Sequence, residues 1–169
     1  MTIEEAIKTA LEYENRVRDI YRDAVGKTGD ETGGRMLSML ADDEQRHVDY
    51  LTVKLEEWTK TGKVTVDELN TTIPSKQSIL EGVSKLERRM SDKDFGVERE
   101  LLKKAVDVET ETSEFYAKVV GELNAADRKL FQRFLEIEEG HLAVVQAELD
   151  YVTGSGYWFD FSEFSMERE

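Results

Sequence analysis

The sequence predicts an all-α fold: a four-helix bundle of two helix hairpins, joined by a long crossover that contains a short helix. Three observations predict it. Only one proline occurs in 169 residues, so little interrupts helices. Apolar residues recur in alternating steps of four and three over long segments, the period of a helix that buries one face. Helix-start residues (Thr, Asn, Asp) and glycine stops bracket those segments.

The first helix opens on the capping pair Thr2 and Glu5, and its seam reads Ile3, Ile7, Ala10, Glu14, Val17, Tyr21 and Ala24 before a stop at Gly26. A second helix is expected from near Thr28, where Thr28 and Glu31 repeat the capping pattern, to near Gly62. Its seam is Leu40, Glu44, His47, Leu51, Leu55 and Trp58. Residues 62–74 read as irregular. A short helix follows from about Ser75 to Met90, with Ile79, Val83 and Leu86 on one face. The third long helix runs from about Phe95 to Leu123 through Leu102, Ala105, Glu109, Thr112, Tyr116 and Val119. Asn124 and Asp127 cap the fourth, whose seam is Phe131, Phe134, Glu138, His141, Val145, Leu149 and Val152, with Gly154 and Gly156 as its end. Helices of this length reach about 40 Å, so about 30 connecting residues can cross the bundle. Residues 1–153 thus form the bundle and residues 154–169 an aromatic tail. Tyr157, Trp158, Phe159, Phe161 and Phe164 mark the tail for packing on its own bundle or on a second subunit.

The halves resemble each other. At an offset of 95, Ala10, Glu14, Tyr21 and Val25 fall on Ala105, Glu109, Tyr116 and Val120; at an offset of 94, Glu44 and His47 fall on Glu138 and His141. A duplicated helix hairpin is the simplest reading.

Composition removes several functions. The absence of cysteine excludes disulfide frameworks, thiol nucleophiles and cysteine-held metal clusters. A net charge of −14 argues against nucleic-acid binding and against an anionic membrane surface. No apolar run approaches the ~20 residues of a membrane span, and the first residues lack the pattern of a signal peptide. A cytoplasmic protein is the expectation.

Polarity interrupts the seams in a regular way. Every long helix carries a glutamate at an interior position: Glu14, Glu44, Glu109 and Glu138. The second and fourth add His47 and His141, each three residues on and on the same face. Four buried carboxylates repel one another and lose hydration, so they must protonate, face water or bind cations. Two divalent ions would balance four carboxylates, and two imidazoles complete an oxygen and nitrogen set that suits iron or manganese. Glutamate is abundant, so one such Glu–His pair carries little information; two at equivalent repeat positions carry more. Off-seam acids such as Glu12, Glu57 and Glu148 read as solvated face. Tyr21 and Tyr116 follow the lone glutamates by seven residues. They read either as core aromatics or as hydrogen-bond partners of a ligand carboxylate.

On these residues, with the order E, ExxH, E, ExxH and a tyrosine after each lone glutamate, the chain resembles the rubrerythrin branch of the ferritin-like superfamily over residues 1 to about 153. The resemblance implies that Glu14, Glu44, His47, Glu109, Glu138 and His141 are both the di-iron ligands and the catalytic set, with Glu44 and Glu138 as bridges and two iron ions as cofactor. Manganese or a mixed pair is the alternative. Full-length rubrerythrins carry a four-cysteine rubredoxin domain, which a cysteine-free chain cannot form. Where rubrerythrins place an extra glutamate this chain has Thr112, with Glu111 nearby but off the seam. The implied activity is a peroxidase-type oxidoreductase: peroxide or dioxygen is reduced with electrons from an external donor protein, in a homodimer. A ferroxidase that stores iron, a manganese catalase and a lipid-quinone hydroxylase are alternative readings of similar ligands.

Overall fold

The computed structural model describes residues 1–86, 91 and 94–166, and it is all-helical among them. Helix α1 spans Ile3–Lys27, α2 Glu31–Thr61, α3 Lys76–Val83, α4 Gly96–Glu122, α5 Ala125–Ser155 and α6 Glu163–Met166. Local chemistry sets the ends. Thr2 and Glu5 form a complete capping box on α1. Asn124 accepts from the Asp127 N–H at the start of α5. Gly62 and Gly156 close α2 and α5 with φ of 68° and 77°, a left-handed conformation that costs glycine little.

Four boundaries differ from the sequence pattern. Gly26 lies within α1, which continues to Lys27. Helix α2 starts at Asp30, whose carboxylate accepts from the Gly33 N–H. Thr28 instead closes α1, its N–H donating to the Ala24 carbonyl, and its hydroxyl donates to Glu98 at 2.5 Å. The short helix ends at Val83 rather than Met90; residues 87–90 lie outside the described set. Gly154 lies within α5, which continues to Ser155.

Two apolar cores set the helix directions. One holds Val17, Tyr21, Ala24, Met36, Leu37, Leu40, Leu102, Val145 and Val152. The other holds Ile3, Ile7, Ala10, Leu51, Tyr116, Val119, Phe131 and Phe134. Helices α1 and α5 therefore run from the second core to the first, and α2 and α4 run the opposite way. Since α2 ends where α4 does not begin, the connection between them must travel the length of the molecule. Leu69 and Ile73 anchor it in the interior. Buried Lys54 ties it down further, pairing with Asp67 and Glu57 and donating to the Thr65 hydroxyl. Helix α1 packs on α2 and on α4, α4 packs on α5, and α3 lies against α5. Between the two cores, Glu14, Glu44, His47, Glu109, Glu138 and His141 form one buried polar layer.

The tail folds onto its own chain. Trp158, Phe159 and Phe161 are buried in the first core. A Cβ at Gly33 would stand 2.5 Å from the Trp158 ring, and one at Gly82 2.6 Å from the Phe164 ring, so both glycines are notches for the tail. Glu148 departs from the expectation of a solvated face: it is buried, and its Oε1 accepts from the Phe159 N–H at 2.9 Å. The seam of α5 passes through Glu148 where the sequence pattern placed Leu149, which is only partly buried.

Gly33→Ala should lower unfolding free energy by about 1–3 kcal/mol because the added Cβ overlaps the buried Trp158 ring, which must shift. Gly121→Ala, where nothing lies within 4 Å of the added Cβ, should be neutral or raise it by up to about 1 kcal/mol through helix propensity. Urea denaturation of the two variants measures the contrast.

Candidate metal centre

The six seam residues converge because each sits where its helix passes from one apolar core to the other. Glu14 follows Ala10 and precedes Val17; Glu44 and His47 fall between Ala41 and Leu51; Glu109 falls between Ala105 and Tyr116; Glu138 and His141 fall between Phe134 and Val145. All six side chains are fully buried.

Their donor atoms form two four-residue groups. Glu14, Glu44, His47 and Glu138 make one, and Glu44, Glu109, Glu138 and His141 make the other, with one ligand atom from each residue within 4.8 Å of the rest. Glu44 and Glu138 belong to both. In the first group, His47 Nδ1 lies 3.1 Å from Glu138, 3.3 Å from Glu44 and 3.4 Å from Glu14. In the second, His141 Nδ1 lies 2.6 Å from Glu44 and 3.5 Å from both Glu109 and Glu138. The two rings are stacked at 5.5 Å between centroids, only 8° from parallel. The layer is pseudo-symmetric: one lone glutamate and one histidine on each side, two glutamates between.

The tyrosines hold the outer carboxylates crosswise. The Tyr21 hydroxyl donates to Glu109 at 2.5 Å, and the Tyr116 hydroxyl donates to Glu14 at 2.6 Å. Each therefore supports the glutamate of the opposite half. Thr112 directs its hydroxyl to the Val108 carbonyl. Glu111 lies on the surface, paired with Arg16.

Asp43 belongs to the same buried cluster, and the sequence pattern did not single it out. It is buried, and its Oδ2 lies 2.7 Å from His141 Nε2 and 3.6 Å from His47 Nε2. Arg46 donates to its Oδ1 at 2.7 Å and Thr71 to its Oδ2 at 2.6 Å. Asp43, His47 and His141 are a third group close enough to hold an ion. A cation there would sit against the Arg46 guanidinium on a carboxylate that already has donors, so the aspartate serves better as a support. An Nε2–H of His141 would donate to it, so that a neutral His141 would carry its lone pair on Nδ1, toward the glutamates. The signal was present, since Asp43 lies four residues before His47 and so on the same helix face.

The donor set fits cations. Glu44 Oε2, Glu109 Oε2 and Glu138 Oε2 are buried with no hydrogen-bond partner, a costly state for a carboxylate that a bound ion would relieve. Proton sharing does the neutralising otherwise. Burial, then repulsion from Glu14, pushes Glu44 up to about 8. Burial with Glu14 and Glu44 raises Glu138 well above the carboxylate range. Burial also opposes ionisation of Glu14, yet the facing His47 and the Tyr116 hydrogen bond bring it down to about 2. Both imidazoles are pushed up despite burial, because carboxylates surround them: Glu14 and Glu138 act on His47, and Glu138 and Glu44 on His141. These groups could hold metal ions in place of those protons.

Metal binding needs ionised carboxyls and neutral imidazoles, so protons leave as ions enter. With Glu44 at about 8 and both histidines raised, affinity should climb as pH rises through about 8. Calorimetry in buffers of different ionisation enthalpy measures the released protons. Asp43→Asn should weaken metal affinity by about 10–100-fold, the usual cost of losing a partner behind a ligand histidine; equilibrium titration checks it.

No family model, curated protein or solved structure matches this chain, so its donor atoms must themselves say what the site can hold.

Proposed function

We propose that this chain is a ferritin-like di-iron redox protein that reduces peroxide, or dioxygen, with electrons from a separate donor protein. The observation that carries this reading is the pair of four-residue ligand groups sharing Glu44 and Glu138. A single-ion site would have no use for the second lone glutamate and second histidine at mirrored positions. In this reading Glu14 and His47 would hold one ion, Glu109 and His141 the other, and Glu44 and Glu138 would serve both.

Oxygen and nitrogen donors without sulfur suit iron or manganese. Two iron ions supply electrons and Lewis acidity when bound. The chain supplies the rest. The two apolar cores exclude water from above and below the layer. Tyr116 and Tyr21 fix the rotamers of Glu14 and Glu109. Asp43 orients His141 and is itself held by Arg46 and Thr71. Phe134 packs edge-on against His47 at 5.3 Å and limits its tilt.

Anaerobic ferrous titration should give two ions per chain, with Glu44→Ala and Glu138→Ala each losing both because the bridges are shared. One ion per chain, or none, would sink the dinuclear reading. Stopped-flow oxidation of the loaded protein then separates the chemistries. Faster reaction with peroxide than with dioxygen is expected; rapid dioxygen consumption with mineral growth would instead mark an iron-storage protein.

A further inference from the structure

The polar layer is nearly symmetric, but its surroundings are not. Around Tyr116 the chain has built a run of touching aromatic rings. His47 meets Phe134 at 5.3 Å between centroids, and Phe134 stacks on Tyr116 at 5.3 Å with 18° between planes. Tyr116 meets Phe115 at 5.2 Å, and Phe115 stacks on Tyr13 at 4.7 Å with 19° between planes. Tyr13 is partly exposed, and the Arg16 guanidinium lies over its ring at 5.5 Å. The run therefore starts at the ligand layer and ends at the surface.

Tyr21, the repeat equivalent of Tyr116, has no ring contact of this kind among the described residues. At the repeat offsets, aliphatic residues stand where the run has aromatics: Ile20 for Phe115, Val108 for Tyr13, Leu40 for Phe134. Only one side has them, and that side alone connects one half of the ligand layer to solvent through successive π systems.

We infer that Tyr116, Phe115 and Tyr13 form a one-electron relay between the Glu14–His47 half of the site and the protein surface. The relay rests on the reading of the site as an oxidising metal pair, with hydrogen peroxide as oxidant. Tyr116 gives one electron to the site and its phenolic proton to Glu14 Oε1, to which it already donates. Tyr13 then gives one electron through the Phe115 ring to Tyr116, which recovers its proton from Glu14. Tyr13 loses its own proton to water. A soluble or protein one-electron reductant restores it, with a proton from solvent. Two passes deliver the two electrons that convert one peroxide and two protons to two waters. Without a reductant, one peroxide would take its two electrons from the loaded ions, and each further peroxide draws them through the relay, so that oxidising equivalents leave the interior at Tyr13.

The test uses the full iron-loaded chain, hydrogen peroxide in several-fold excess without reductant, and a small nitroso spin trap, with adducts mapped by peptide mass spectrometry and expressed per peroxide consumed. An adduct at Tyr13 is expected. It should fall several-fold in Phe115→Leu, which touches no ligand, and in Tyr116→Phe, and be unchanged in Tyr151→Phe, at the other core. A Tyr13 adduct that survives Phe115→Leu undiminished overturns the relay. If the wild-type chain binds iron but consumes no peroxide, the functional reading fails instead, and the metal-free protein decides the relay. There, photo-excited tris(bipyridyl)ruthenium with persulfate oxidises surface tyrosines but cannot touch Tyr116, which is fully buried. The relay then predicts a tyrosyl EPR signal with a fraction shielded from ascorbate, lost several-fold in Phe115→Leu and in Tyr116→Phe. A shielded fraction absent from wild type, or persisting in both variants, overturns it.

Discussion

Four carboxylates meet in an interior sealed from solvent, and the rest of the molecule is arranged around that fact. Left as anions, Glu14, Glu44, Glu109 and Glu138 would repel each other across a few ångströms of low-dielectric space. Two histidines placed among them supply positive charge, and the raised carboxyls of Glu44 and Glu138 hold protons that absorb the remainder. A layer like this cannot hold itself together. Two apolar cores, one on each side, do so. Each long helix crosses from one core to the other, and so it presents its polar residue at one height only. The opposed directions of α1 and α2 then follow from a short turn, and the parallel course of α2 and α4 from a crossover that spans the molecule.

Much of this was legible in the sequence because buried polarity breaks an otherwise apolar period. Glu14 stands between Ala10 and Val17 where a leucine would fit, and the same break recurs on three other helices. What the pattern missed has physical reasons. Asp43 has no repeat counterpart, since the residue 94 positions on is Ile137. A search for duplicated polarity passes over it, although it serves both rings. Glu148 was assigned to solvent because Leu149 was the more apolar neighbour. The structure prefers the glutamate inside because the tail brings a backbone N–H to meet it. Thr28 looked like a helix start, but its hydroxyl is engaged by Glu98 of α4, and Asp30 was free to cap α2. In each case a contact distant in sequence outweighed a local signal.

The crosswise tyrosines tie the two halves together. Tyr21 on α1 supports Glu109 on α4, and Tyr116 on α4 supports Glu14 on α1. If each hairpin supported its own glutamate, the halves could shift past one another without disturbing the ligands. With the exchange, displacement of α1 relative to α4 pulls both outer carboxylates from their positions. The Arg16–Glu111 ion pair spans the same interface at the surface, where it contributes little energy beside the buried pairs. Registry between the hairpins is thus fixed from inside the layer, by hydrogen bonds to carboxylates.

The most telling divergence between the halves lies one step beyond the ligands. Lys54 and Glu148 each follow a site histidine by seven residues, and they are equivalent at an offset of 94. Both are buried, with opposite charge. What covers each explains the difference. The crossover lies over the α2 position and brings acidic Asp67, so a lysine there gains an ion pair beside Glu57. The tail lies over the α5 position and brings the N–H of Phe159, so an acceptor is needed, and burial holds that carboxyl well above its usual range. A glutamate that remains protonated adds no charge to the core, while its carbonyl oxygen takes the tail's hydrogen bond. A lysine there would meet an N–H with a second donor, and a glutamate at position 54 would face Asp67 with like charge. The two connecting segments, which the repeat does not encode, therefore dictate which ionisable group the repeat can carry beneath them.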